Sequence, residues 1–186
     1  MKNALKRSLL LLALAFPAVG CIDDFTVPLD PAPELKLDAH LIGVWACIAS
    51  GPDSDFHPKG KGKGAPFSVL EFGMSGQWYR IRSVGLDQAD REEFWDAYPS
   101  TLGTRTLLNT WPASDTPRKR GGKVVFFAHS WISTDRFQFE LVTAEALKGM
   151  PLSPAPALRK TLLSRATDPR VFKPWIVCTK AKAVNS

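Results

Sequence analysis

Three histidines, His40, His57 and His129, and three cysteines, Cys21, Cys47 and Cys178, are the side chains from which this chain could build metal or nucleophilic chemistry. The histidines form neither H-x-H nor H-E-x-x-H, and no second cysteine or histidine stands at ligand spacing from Cys47 or Cys178. A zinc site therefore has no ligand set, and no metal is expected. His129-Ser130 offers a base beside a hydroxyl, but neighbours on a strand point to opposite faces. No G-x-S-x-G turn surrounds the serine either. The run HPKGKGKG lacks G-x-x-x-x-G-K-[ST], so it is not a phosphate loop. No acid, base and nucleophile meet at a defensible spacing, and the expectation is a protein that is not an enzyme and needs no cofactor.

The remaining cysteine has a different setting. Lys2, Lys6 and Arg7 precede SLLLLALAFPA, an apolar run of secretory length that is too short to span a bilayer. It ends at Ala18-Val19-Gly20-Cys21. Small residues before a cysteine in this position resemble the lipobox of bacterial lipoproteins. The resemblance covers residues 1–21 and implies cleavage after Gly20, a diacylglyceryl group on the Cys21 thiol and acylation of the new amine. Two or three acyl chains would hold the protein on a membrane, each buried CH₂ contributing about 0.8 kcal/mol. The next residues, IDDFTVPLDPAP, carry three prolines and three aspartates and suggest an extended tether over residues 21–38. Ile22 follows the cysteine where aspartate marks inner-membrane retention in enteric bacteria. The resemblance thus favours the outer membrane, facing the periplasm, over the inner membrane.

Export bears on the other two cysteines. An oxidising compartment favours a Cys47–Cys178 disulfide over two free thiols. Export also changes the charge. The chain carries 24 Lys and Arg against 18 Asp and Glu; losing Lys2, Lys6 and Arg7 with residues 1–20 lowers the formal balance from +6 to +3. Nucleic acid is therefore not an expected partner. Local basic clusters survive in two glycine- and proline-rich loops. Lys59, Lys61 and Lys63 lie in one, Arg118, Lys119 and Arg120 in the other, with Lys123 just beyond. Near an anionic surface each could be worth about 1 kcal/mol.

These residues must be positioned by strands. HLIGVWACIAS, FSVLEFG, QWYRIRSV, RTLLNTW, KVVFFAHSWIS, DRFQFELVT and PWIVCTK are apolar or alternating runs bounded by Gly, Pro, Asp and Ser. Met74-Ser75-Gly76 and Ser133-Thr134-Asp135 are expected turns. DQADREEFWDAY, residues 87–98, reads as a short helix stopped by Pro99, with Phe94, Trp95 and Tyr98 at i, i+1 and i+4. TAEALKG and PAPALRKTLLSRA read as two more helices, the second with Leu158, Leu162 and Leu163 inward and Arg159 and Lys160 outward. Among six tryptophans, Trp95 and Trp111 lie beside breakers and charges and are the candidates for a ligand mouth or partner surface.

The pattern implies a single domain over residues 39–182, mainly antiparallel β, with its first and last strands meeting at the two cysteines. Gly43-Val44-Trp45 is similar to the G-x-W of lipocalin-like barrels, where the tryptophan plugs one barrel end. The expected fold is a small lipocalin-like barrel or strongly curved sheet with peripheral helices, and Gly43 and Trp45 at its plug. The expected function is non-enzymatic binding in the cell envelope. The partner would be a small apolar or amphipathic ligand, or an envelope protein or polysaccharide. An inhibitor or interaction subunit acting through the basic loops is the alternative, as in small disulfide-bonded β lipoproteins that block lysozyme.

Overall fold

The computed structural model describes residues 25–50, 68–85, 92–113 and 123–181. Eight strands follow one another around a closed antiparallel barrel: β1 (Gly43–Ala49), β2 (Ser68–Ser75), β3 (Trp78–Gly85), β4 (Glu92–Leu102), β5 (Arg105–Pro112), β6 (Val125–Ser133), β7 (Arg136–Val142) and β8 (Phe172–Lys180). One helix, α1 (Ala155–Ser164), lies in the β7–β8 connection. Closure pairs β1 with β8 and leaves no sheet edge to aggregate. Cys47 and Cys178 are register partners across that seam and are disulfide-bonded, as the export argument anticipates.

Two rims differ in their connections. Tight hairpins join β2–β3, β4–β5 and β6–β7 at one, the hairpin rim; the longer connections leave the other, the loop rim. Gly76 and Gly103 turn two of the hairpins with φ of 64° and 60°, where a Cβ would be strained.

Alternation sends Trp45, Leu70, Phe72, Tyr79, Ile81, Ala97, Leu108, Val125, Phe127, Phe137, Phe139 and Ile176 into the barrel. Outside, β2, β3 and β4 carry cross-strand ion pairs, Arg80–Asp96 at 2.6 Å and Arg82 with both Glu71 and Glu92. An apolar interior with a charged outer wall is the reverse of a membrane-spanning barrel. A second core lies against the outside of β4–β7, where Tyr98, Leu107, Trp111, Phe126 and Val142 meet Leu158 and Leu162 of α1.

That second layer explains the departures from the sequence expectations. The segment read as a helix at 87–98 is β4 from Glu92 onward. Both faces of β4 are buried near its middle, so the apolar residues lose the simple alternation that marks a strand. Trp95 faces the interior core, whereas Tyr98 faces the outer one. Pro99 is accommodated because β4 runs beyond its last pair with β3, at Ala97, and a residue facing that open side loses no ladder bond. TAEALKG forms only a 3₁₀ turn at Glu145–Leu147. In α1, Leu158 and Leu162 are buried, but Leu163, five residues from Leu158, is exposed. Arg159 does not point freely outward: it bonds Asp30 and the Thr101 carbonyl.

The expected tether also differs. From Phe25 the chain is a strap packed along the barrel wall. Phe25 pairs with Val124, and both Phe25 and Leu29 are buried in the outer core. Buried Asn109 accepts from the Leu29 amide at 2.8 Å and donates to the Tyr98 carbonyl and the Ser100 hydroxyl, while the Tyr98 hydroxyl donates to the Asp30 carbonyl. Phe25 and Leu29 bury their side chains, so the proline-rich chain packs on the wall. The two glycine-rich loops, at 51–66 and 112–122, lie almost wholly outside the described residues.

Candidate functional site

The strap ends at the hairpin rim, where it turns across the barrel mouth. Asp38 is the fastener. Its carboxylate accepts from the His40 amide at 2.9 Å and from the Trp131 indole at 3.0 Å, and lies 2.9 Å from His40 Nδ1. Its backbone meets the Tyr79 hydroxyl, which accepts from the Asp38 amide at 2.5 Å and donates to the Asp38 carbonyl. Partial burial alone would raise the Asp38 pKa, but the donors from His40 and Trp131 outweigh it and hold the carboxyl below its usual range. Burial pushes the Tyr79 phenol up to about 12, so it remains a neutral donor and acceptor.

Beyond Asp38, a 3₁₀ turn at Ala39–Leu41 leads into β1. Trp45 is fully buried, donates from its indole to the Leu41 carbonyl at 2.8 Å and packs on Phe137 at 4.7 Å between ring centroids. The Lys180 ammonium sits 5.2 Å from the Trp45 ring centre and donates to the His40 carbonyl. Gly43, at φ 124°, enters β1 beneath that lysine, in a conformation L side chains rarely adopt. Gly43 thus opens β1 at the hairpin rim, with the buried Trp45 side chain just inside it.

Trp45 does not fill the rim. Beside it lies a cavity of about 370 Å³ lined by Leu41, Tyr79, Pro99, Thr106, Leu108 and His129 from within and by Leu35, Lys36, Asp38, Thr104, Ser130 and Trp131 at its mouth. Elsewhere in the interior, ring contacts link Phe72, Phe137, Phe139 and Phe127 in a connected set, and Trp175 stacks on Phe127 at 4.8 Å. Its volume lies at the small end of the ligand-pocket range.

His129 is the chemical centre of this cavity. It faces inward between Phe127 and Trp131 on β6, edge-on to Trp131 at 5.0 Å and against Phe137 and Phe139. Its Nε2 is buried without a hydrogen-bond partner. Burial pushes the imidazole down from 6.5 to about 4 against the opposing charge of Asp38. The ring is therefore neutral near pH 7.

This burial has a consequence for stability. Above pH 6.5 His129 is neutral in both the folded and unfolded chain. Between 6.5 and about 4 only the unfolded chain takes up the proton, so stability falls as the pH falls through that window. The loss should approach about 2–3 kcal/mol at its acid end. His129→Phe should flatten this part of the profile in urea titrations at stepped pH. Asp168, held down to about 2 chiefly by Arg170, acts only at lower pH.

The expected site residues fall unevenly. Cys21, His57, Lys59, Lys61, Lys63, Arg118, Lys119 and Arg120 lie outside the described residues. Lys123 is exposed at the loop rim, beside Val124 and away from the cavity. His129 and Ser130 both border the cavity but leave β6 on opposite sides, as strand geometry requires. Trp111, expected at a ligand mouth, is buried in the outer core, and Trp95 packs against the interior one. The tryptophan at the mouth is Trp131. The available signal was the same-face series Phe127, His129, Trp131, a lone histidine between aromatics on an inward face.

The fold and its rim cavity define a small lipocalin-like barrel with one peripheral helix. Compared with protein-family models, with curated proteins and with solved structures, the chain matches none.

Proposed function

We propose that this protein is a lipid-anchored binding protein of the cell envelope, carried through Cys21 on the periplasmic face of the outer membrane. Its barrel holds a small amphipathic ligand at the hairpin rim. The observation carrying this reading is the rim cavity, which joins apolar walls to Thr104, Thr106 and the ring of His129. Leu35, Leu41, Pro99, Leu108 and Trp131 offer apolar contact, while His129, Thr104 and Thr106 offer hydrogen bonds. The guest is thus a molecule with an aromatic or short aliphatic body and at least one hydroxyl or comparable polar group. No bond is made or broken in this role.

The test uses 1-anilinonaphthalene-8-sulfonate as a fluorescent probe of the anchor-free chain, residues 22–186. Saturable binding at one probe per chain, lost in Thr106→Trp, which fills the cavity, supports the reading. Unchanged binding in the filled variant would reject this cavity as the site, provided its unfolding midpoint matches the parent.

A further inference from the structure

We propose that the lipid anchor seats the loop rim of the barrel against the bilayer and turns the cavity mouth away from it, so that the ligand exchanges with the aqueous compartment. This inference rests on the lipidation of Cys21 argued above. Only three residues, Ile22 to Asp24, separate Cys21 from Phe25, and the four Cα steps reach about 14 Å when fully extended. Phe25 is not free to extend that reach. It is buried and paired in both directions with Val124, its amide donating to the Val124 carbonyl at 2.7 Å and the Val124 amide returning a bond at 2.8 Å.

Val124 immediately precedes β6, at the loop rim. From there the strap runs to Asp38 at the hairpin rim, fixed on the way by Asn109, Tyr98 and Arg159. The nine residues of β6 span about 30 Å along the strand. Tilted as barrel strands are, by about 35–45°, they separate the rims by roughly 22 Å. The anchor reaches the near rim and falls short of the far one. At the near rim, exposed Phe94 offers an aromatic ring of the kind enriched at headgroup depth.

Among the described residues, the hairpin rim exposes more apolar surface, Met74, Trp131 and Ile132. Composition alone would have turned that rim toward lipid, but the chain length and the strap place it on the far side. Of these side chains, Trp131 lines the cavity mouth.

Photo-crosslinking decides between the two orientations. The full lipidated protein is reconstituted into vesicles of phosphatidylethanolamine and phosphatidylglycerol. In separate preparations p-benzoylphenylalanine replaces Thr26, Lys173, Gln77 or Thr134, all exposed. The first two are at the loop rim and the others at the hairpin rim. Flotation with the vesicles reports anchoring independently of orientation. Flotation with lipid adducts at Thr26 and Lys173, absent at Gln77 and Thr134, is expected. A long Gly-Ser insertion between Asp24 and Phe25 should preserve flotation and abolish the Lys173 adducts. Flotation with adducts at the hairpin rim, or equally at both rims, would overturn the orientation while leaving the anchor intact. A wild-type chain that fails to float would overturn the anchoring, and the orientation with it.

Discussion

Replacing Cys47 and Cys178 together by alanine should destabilise the barrel by about 5 kcal/mol, the largest effect of any change considered for this protein. The bridge joins residues 131 apart in sequence, so nearly the whole barrel lies inside one covalent loop. In the chain-entropy account, a loop of that length removes about 5 kcal/mol of freedom from the unfolded chain. The position adds to the effect. β1 and β8 are the last pair needed for closure, and without the bridge the seam depends on backbone hydrogen bonds and side-chain packing alone. Both sulfurs belong to the inner core, so the double replacement also removes packed atoms. With a urea dependence of about 1–3 kcal/mol per molar, the midpoint should fall by roughly 2 M or more. A midpoint unmoved in the double variant would show that the seam holds without its staple.

Trp45→Ala is the second large effect. The indole is fully buried among Phe72, Phe137 and Trp131, and its removal should cost about 3–5 kcal/mol as cavity and lost contact. The Leu41 carbonyl also loses its donor, and the Lys180 ammonium loses the ring beneath it. The 3₁₀ turn at Ala39–Leu41 is therefore expected to loosen, and the strap end at Asp38 with it. Trp131→Ala makes the informative contrast. Trp131 is partly exposed and caps the cavity mouth. Its loss should cost far less stability and weaken probe binding more. Equal destabilisation by the two replacements, measured by urea unfolding, would contradict the division into plug and mouth.

The parts of this architecture that follow from local pattern could be read from the chain. Tyr79 and Ile81 inward against Arg80 and Arg82 outward is an alternation that only a half-buried strand produces, and the Gly76 turn opens it. The cysteine pairing followed from compartment and from the apolar first and last strands. Residues 92–98 defeated the same reasoning because the outer core buries Tyr98 on the face that would otherwise be polar. The strap was obscured by composition: the prolines and aspartates around Phe25 and Leu29 mark extended chain, and extended chain can pack as well as dangle. The cavity was the least legible feature. Leu41, Tyr79, Pro99, Leu108 and His129 come from five separate stretches, and only barrel closure brings them together. No spacing rule connects residues across a closing seam. The expectation that Trp111 lay at a ligand mouth failed for a related reason, since a barrel wall covered by a helix has two buried faces.

The central claim is that the rim cavity holds a small amphipathic molecule. Native mass spectrometry of the anchor-free chain, exported to an oxidising compartment and followed by organic extraction, tests it most directly. One stoichiometric small molecule carrying an aromatic or short aliphatic body and a hydroxyl or comparable polar group is expected, absent from Thr106→Trp prepared in parallel. The same molecule retained at full occupancy by the filled variant, or an apo mass that none of a panel of hydroxylated aromatics and short amphiphiles shifts, would contradict it.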